Sequence, residues 1–218
     1  MEGDKLVIKE GHVRASEGIM KILLQQIKEV PGRFIISVAG ESGSGKSEIA
    51  SVLFDMFAKE GIGSVILQQD DYFVYPPRTN AEMRKKDIGH VGMKEVRLDL
   101  LDGNLKDAAD TKDEIEKPLV IFEEDRIDEE TLDLEDVRVV IVEGTYTTIL
   151  KNVTKHVFID LTYTDTRDAR KQRAREEQDE FLEKILEIEH GIISLHKRKA
   201  DIIVTKDYEV NENYGEGN

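Results

Sequence analysis

The chain of 218 residues predicts an α/β fold, a doubly wound and mostly parallel sheet, on three observations. Apolar runs of strand length alternate with helix-periodic segments from residue 34 to 204, the pattern of βαβ units rather than of hairpins. Gly40-Glu41-Ser42-Gly43-Ser44-Gly45-Lys46-Ser47 fills the spacing G-x-x-x-x-G-K-[ST] directly after the first of those runs. Acidic residues, Asp70-Asp71 and Glu143, stand where two further runs end, and ligands of such sheets bind beyond the carboxyl ends of the strands.

In chain order, residues 5–8 and 12–14 around Gly11 read as a small hairpin. Ser16 then offers an N-cap to a helix carrying Ile19, Met20, Leu23, Leu24 and Ile27, which stops at Pro31-Gly32. This hairpin and helix, residues 1–33, are expected to pack on a core domain of residues 34–206. Residues 34–39 are its first strand, and Ile49, Val52, Leu53, Met56 and Phe57 set a helical stripe after the glycine loop. Residues 64–68, behind Gly61 and Gly63, complete a βαβ unit. Residues 70–95, with Pro76, Pro77, glycines and mixed charge, read as one long irregular loop of the kind that carries function.

A helix is expected over 98–109, and short strands over 119–123 and 130–134 flank Arg126. Val139-Val140-Ile141-Val142 has the unbroken apolar composition of a buried parallel strand and ends in Glu143-Gly144. A strand over 156–160 follows, then an Arg-rich segment within a lid of about 165–178. Next come an amphipathic helix presenting Phe181, Ile185, Ile188, Ile192 and Leu195 and a closing strand over 202–204. Residues 207–218 read as a disordered tail.

The net charge of −15 disfavours nucleic acid and anionic membrane as partners, since both require a positive footprint. Cysteine is absent, which excludes disulfides and thiolate chemistry and fits a reducing cytoplasm. No apolar run approaches the roughly 18 residues of a membrane span. A cytoplasmic protein acting on a small molecule, and open to forming a homo-oligomer, is the expectation.

The glycine loop has a physical reason. Several backbone N–H groups must point into one hollow to hold a polyphosphate, and Gly40, Gly43 and Gly45 let the chain wrap that tightly. The helix that follows adds its N-terminal N–H groups, Lys46 a point charge for the β- and γ-phosphates, and Ser47 a hydroxyl for Mg²⁺. Glu143 alone could equally cap a helix; beside a phosphate loop, holding or orienting Mg²⁺ and its waters is the better reading. Arg167, Arg170, Arg173 and Arg175 concentrate cationic charge in an acidic chain, where some will pair with Asp168, Glu176 and Glu177 and others can meet phosphate. The histidines show no metal-ligand spacing, and only His90, in the irregular loop, is kept as a site candidate. A regulatory GTPase would carry Asp-x-x-Gly and Asn-Lys-x-Asp; the nearest stretch here, Thr205-Lys206-Asp207, lacks the asparagine.

With the glycine loop, Gln69-Asp70-Asp71-Tyr72-Phe73, Val142-Glu143-Gly144, Phe158-Ile159-Asp160, the segment from Thr166-Arg167 to Arg175 and Ala200-Asp201-Ile202-Ile203, the chain from 34 to 204 resembles the uridine kinase and phosphoribulokinase group of P-loop kinases. Pantothenate and nicotinamide riboside kinases are similar to that group. The resemblance implies a P-loop NTPase type of sheet with an Arg-rich lid, and ATP with Mg²⁺ near Ser47, Asp70 and Glu143. It implies catalysis by Asp70 and Lys46 with Arg170 and Arg173. Gly40, Ser42, Gly43, Ser44, Gly45, Lys46, Ser47, Arg167 and Arg175 would meet the nucleotide, and Asp70, Tyr72, His90 and Arg126 the acceptor. A nucleoside is the first expected acceptor; pantothenate, a sugar or sugar phosphate, and nicotinamide riboside are alternatives. Two departures stand out. Gly89-His90-Val91-Gly92 replaces the Asp-x-Pro of uridine kinases, and Arg173-Ala174-Arg175-Glu176 lacks the Arg-Asp step of the lid.

Overall fold

An unbroken apolar strand is stable only where both of its faces are covered, and the molecule is built around two such strands. The computed structural model describes residues 6–110, 112–173 and 179–213, without the side chains of Gln172 and Arg173. Its elements are α1 (Glu10–Glu29), β1 (Phe34–Gly40), α2 (Lys46–Lys59), β2 (Ser64–Gln68), α3 (Pro77–Lys86), α4 (Leu98–Ala109), β3 (Glu114–Ile121), β4 (Arg126–Asp133), β5 (Val139–Glu143), β6 (Lys155–Ile159), α5 (Arg167–Arg173), α6 (Glu180–Ile193), β7 (Ile202–Val204) and β8 (Val210–Glu212). Six strands form one sheet in the order β2-β5-β1-β6-β7-β8, parallel except for the antiparallel β7–β8 edge.

Side chains alternate across the sheet with the strand period of two. Phe34, Ile36 and Val38 of β1 and Val139 and Ile141 of β5 face α1 and α2, where they join Ile19, Leu23, Ile49, Leu53 and Phe57. Ile35, Ala39, Val140 and Val142 face the other way, onto Leu101 and Leu105 of α4 and Ile193 of α6. Helices on both faces make the sheet doubly wound, as its composition predicts. The register sets Glu143 opposite both Val38 and Gln68, so β1, β2 and β5 release their following loops at one edge. No helix among the described residues is long and apolar enough to cross a membrane.

Several expectations are corrected. Residues 12–14 are not a hairpin strand but the first turns of α1, whose buried stripe runs from His12 through Ala15, Ile19 and Leu23 to Ile27. Gly11 sits inside that helix because the Tyr208 ring occupies the space a Cβ would need, at 2.5 Å. Ser16 is internal, its Oγ donating to His12 O at 2.8 Å, and Lys9 takes the cap position, its N–H donating to His12 Nδ1. The stretch 70–95 contains a ten-residue helix, α3, which starts on Pro77 and buries only Asn80, so it lacks an apolar stripe.

The two short strands near Arg126 are a longer separate hairpin, β3–β4, whose turn at 122–125 precedes Arg126. On α6 the buried face is Leu182, Ile185, Leu186 and Ile193. Ile188 is exposed and Leu195 lies beyond the helix end, 62% exposed. The region read as a tail supplies β8, which adds to the β7 edge; residues 214–218 lie outside the described residues.

Candidate active site

The chain leaves β1 through a tight loop because its glycines adopt backbone angles closed to other residues: Gly43 has φ 77° and Gly45 φ 94°. Space forbids a side chain as firmly as the angle does. A Cβ at Gly43 would lie 2.8 Å from Arg170 Cγ, and one at Gly45 2.8 Å from His12 Nε2. The loop is therefore held between α5 above and α1 behind, and α2 begins at Lys46 with its N-terminal N–H groups turned to the loop.

Beyond the strand ends lies a cavity of about 230 Å³. Ser42, Gly43, Lys46 and Ser47 of the glycine loop and the start of α2 line it, with Glu143 and Thr145 after β5 and Asp70 after β2, and Arg170 reaches it from α5. Ser47 Oγ donates to Glu143 Oε1 at 3.0 Å. That engages the hydroxyl hydrogen and leaves the oxygen lone pairs for a cation, while Lys46 Nζ rests on Glu41 O at 3.1 Å. Among the described residues no three His, Cys, Asp or Glu side chains gather as a metal cage. A hydroxyl and carboxylates on a phosphate site fit Mg²⁺, which keeps waters and phosphate oxygens as ligands. Gly40, Ser44 and Gly45 stand behind the cavity wall; Ser44 Oγ turns inward, 2.6 Å from where a Cβ of Gly40 would lie.

Asp70 and Asp71 part company for a reason that strand alternation does not supply. They lie in a 3-10 turn, Gln69–Tyr72, whose three-residue period puts Asp70 and Phe73 on the cavity while Gln69 and Tyr72 turn into the protein. Asp71 is buried in an ion pair with Lys117 at 3.1 Å and accepts the Val120 N–H, also at 3.1 Å, tying the hairpin to the core. Tyr72, expected at the acceptor, is a correction. It is fully buried, its hydroxyl donates to Asn104 Oδ1 at 3.0 Å, and burial raises its pKa, with Asp71 adding to the shift.

The other expected contacts divide similarly. His90 does not line the cavity; its Nε2 meets Asn80 Oδ1 at 3.1 Å, and Asn80 does. Arg126 is half exposed on the hairpin, paired with Glu124 and Asp128, and the tip residue Phe122 faces the cavity instead. Arg170 is 6% exposed, with Nη1 donating to Tyr163 O and to Thr166 Oγ1. Arg167 points outward to Glu183 at 3.0 Å. Arg175 and the Arg173 side chain lie outside the described residues.

The far end of the cavity went unread in the sequence. Phe73, Pro77 and Ala81, the hairpin tip Phe122, and Leu182, Ile185 and Leu186 of α6 form an apolar wall. Arg84 and Glu189 add a polar edge, where Arg84 Nη2 donates to Glu189 at 3.1 Å and the guanidinium also grips the fully buried Glu95. The three-residue period from Asp70 to Phe73 was the one signal that could have found part of it.

The Phosphoribulokinase / Uridine kinase family model matches residues 35–177, more than half of the chain. The bifunctional alpha-galactosidase/sucrose kinase of Mediterraneibacter gnavus is 30% identical over 194 residues, covering 83% of this chain and 21% of that protein. A uridine kinase of Clostridium botulinum is 33% identical over 111 residues, 50% of this chain and 52% of that protein. The chain thus spans about a fifth of the first relative and about half of the second. A putative fructose transport system kinase from Silicibacter sp. TM1040 superposes with a TM-score of 0.62 at 15% identity, covering 87% of this chain and 94% of that one. The phosphoribulokinase from Rhodobacter spheroides gives 0.63 at 15% identity, over 79% and 70%. Both are likenesses of fold.

Proposed function

We propose that this chain, which belongs to the phosphoribulokinase/uridine kinase family, transfers the γ-phosphate of ATP to a hydroxyl of a small molecule in a Mg²⁺-dependent reaction. The observation that carries this reading is one cavity lined by Lys46, Ser47 and Glu143, by Asp70, and by an apolar wall that includes Phe73, Leu182, Ile185 and Leu186. The acceptor oxygen forms a bond to the γ-phosphorus as the bond to the β,γ-bridging oxygen breaks, and Asp70 takes the hydroxyl proton. Lys46 and the loop N–H groups hold the phosphates, and Arg170 screens their charge. When bound at Ser47, Asp70 and Glu143, Mg²⁺ supplies charge neutralisation on the phosphate oxygens. An ATP-dependent, cysteine-free chain fits a cytoplasmic setting.

A nucleoside is the first acceptor on this reading, supported by the uridine kinase relatives. A sugar is the second, favoured by the greater reach of the match to the sucrose kinase-containing relative, 83% of the chain against 50%. Coupled ADP release tests both, with uridine, fructose, sucrose, ribulose 5-phosphate, glycerate and pantothenate each added to Mg·ATP. ADP release that depends on one of these is the expected result. Steady hydrolysis unaffected by any of them would replace the kinase reading with a regulatory NTPase.

A further inference from the structure

Position 41 of the glycine loop carries a buried glutamate that the phosphate chemistry does not use. Its carboxylate reaches two elements distant in sequence. Oε2 accepts the Tyr163 N–H at 2.6 Å, in the segment that leads into α5, and Oε1 accepts from His190 Nδ1 at 2.6 Å, on α6. The Tyr163 and His190 rings lie against each other, 5.6 Å between centroids. The connection continues on both sides. Arg170 donates to Tyr163 O, and Thr166 Oγ1 donates to Ser42 O at 2.8 Å, so the start of α5 is keyed to the same loop. On α6, His190 adjoins Glu189, and Leu182, Ile185 and Leu186 of that helix form the apolar wall.

Glu41 also touches the phosphate machinery through its backbone, because Lys46 Nζ donates to its carbonyl oxygen. Phosphates that draw Lys46 to themselves remove that bond, and the residue released is the one whose side chain holds Tyr163 and His190. A ligand shifts an equilibrium only through contacts that differ between two states, and Lys46 on Glu41 O against Lys46 on phosphate is such a difference.

We propose that Glu41 is a positioning residue that transmits occupancy of the phosphate loop to α6, setting the acceptor wall in register with the bound nucleotide. The proposal rests on the kinase reading above for what the wall contacts, but its test requires no acceptor. Amide hydrogen exchange of α6 is measured with and without the non-hydrolysable analogue Mg·AMP-PNP, and the analogue's Kd is measured beside it. In the wild type the analogue slows exchange in α6 about fivefold or more, a coupling of ordinary size. In Glu41→Gln the Kd stays within about threefold of wild type while the slowing is lost, since the amide cannot accept from both donors as the carboxylate does.

His190→Ala, which cuts the same link from the α6 side and leaves the loop intact, loses the slowing as well. His190→Asn keeps a donor near the Nδ1 position and retains it. Equal slowing in wild type and Glu41→Gln, or in wild type and His190→Ala should Glu41→Gln fail to fold, overturns the proposal. A Glu41→Gln protein that folds but no longer binds the analogue also overturns it, by placing Glu41 in the nucleotide site itself. Failure of the wild type to bind Mg·AMP-PNP at all is the separate result that removes the kinase reading and this inference with it.

Discussion

The two ends of the cavity are made in different ways. The phosphate end comes from one contiguous stretch, the β1–α2 turn, with Asp70 and Glu143 added from the ends of β2 and β5. Its geometry follows from hydrogen-bonded strands whose register is fixed by two buried faces. The proposed acceptor end is assembled from α3, the turn of the β3–β4 hairpin and α6, elements that meet only in the folded chain. Chemistry that needs backbone N–H groups at fixed spacing is written locally, whereas a surface that must fit one substrate is built from side chains brought together by packing. On the proposed function, the first end would serve any polyphosphate and the second would decide what is phosphorylated.

The largest expected effect breaks the phosphate end alone. Lys46→Ala removes a charge at the cavity and no core contact, so turnover falls by about 10²–10³-fold or more while Tm stays near the wild-type value. Thermal melting beside the ADP-release assay separates the two, and wild-type activity in the variant would show that the loop does not hold the transferred phosphates.

The next comparison sets neighbouring carboxylates against each other. Asp70→Asn is expected to lower kcat about 10²-fold, the lower end of what a positioned general base contributes, with little change in ATP-analogue Kd or Tm. Asp71→Asn leaves Lys117 buried with only Glu130 as its anionic partner among the described residues, so it lowers stability toward the lower end of the roughly 3–5 kcal/mol seen when buried pairs are broken, with a smaller effect on kcat. A larger kcat loss at Asp71 would reverse the assignment.

The acceptor end answers to shape. Leu186→Ala is expected to raise the acceptor KM about tenfold through lost apolar contact, with the KM for ATP unchanged. Equal changes in both constants would mean that the two ends are not separable in this way.

What the sequence disclosed follows the same division. The glycine loop, the unbroken apolar run of β5 and the carboxylates at the strand ends were legible because each depends on short-range sequence. Tyr72 was misplaced because residues 69–72 turn with a period of three instead of two, although Asp70 still reaches the cavity. α3 was hidden because its one buried residue, Asn80, is polar. Gly11 read as a turn because the ring that fills its missing side chain, Tyr208, lies far away in sequence. Nothing local marks Glu41 as a link to His190.

The smallest expected effect belongs to two histidines away from the cavity. Burial lowers the pKa of His156 on β6, whose Nδ1 lies 2.7 Å from Ser37 Oγ on the neighbouring β1, and of His196, whose buried Nδ1 has no hydrogen-bond partner among the described residues. With folded pKa values below the unfolded value, the unfolded chain binds more protons as the pH drops. The contribution is therefore present above about pH 6.5 and lost as the pH falls toward the folded pKa. Tm recorded from pH 7.5 to 5.5 should decline, and a His156→Gln variant should flatten part of that decline.

Phosphate loop, Asp70 and apolar wall are proposed to act as one reaction site, since all three line one cavity. Steady-state ADP release by the wild type and by Asp70→Asn, each with and without the acceptor found in the panel, tests it most directly. The wild-type rate is expected to rise at least about 100-fold on adding the acceptor, and the Asp70→Asn protein to bind the ATP analogue normally but lose that rise. A wild-type rate indifferent to acceptor, or an Asp70→Asn variant stimulated as strongly as the wild type, would contradict it.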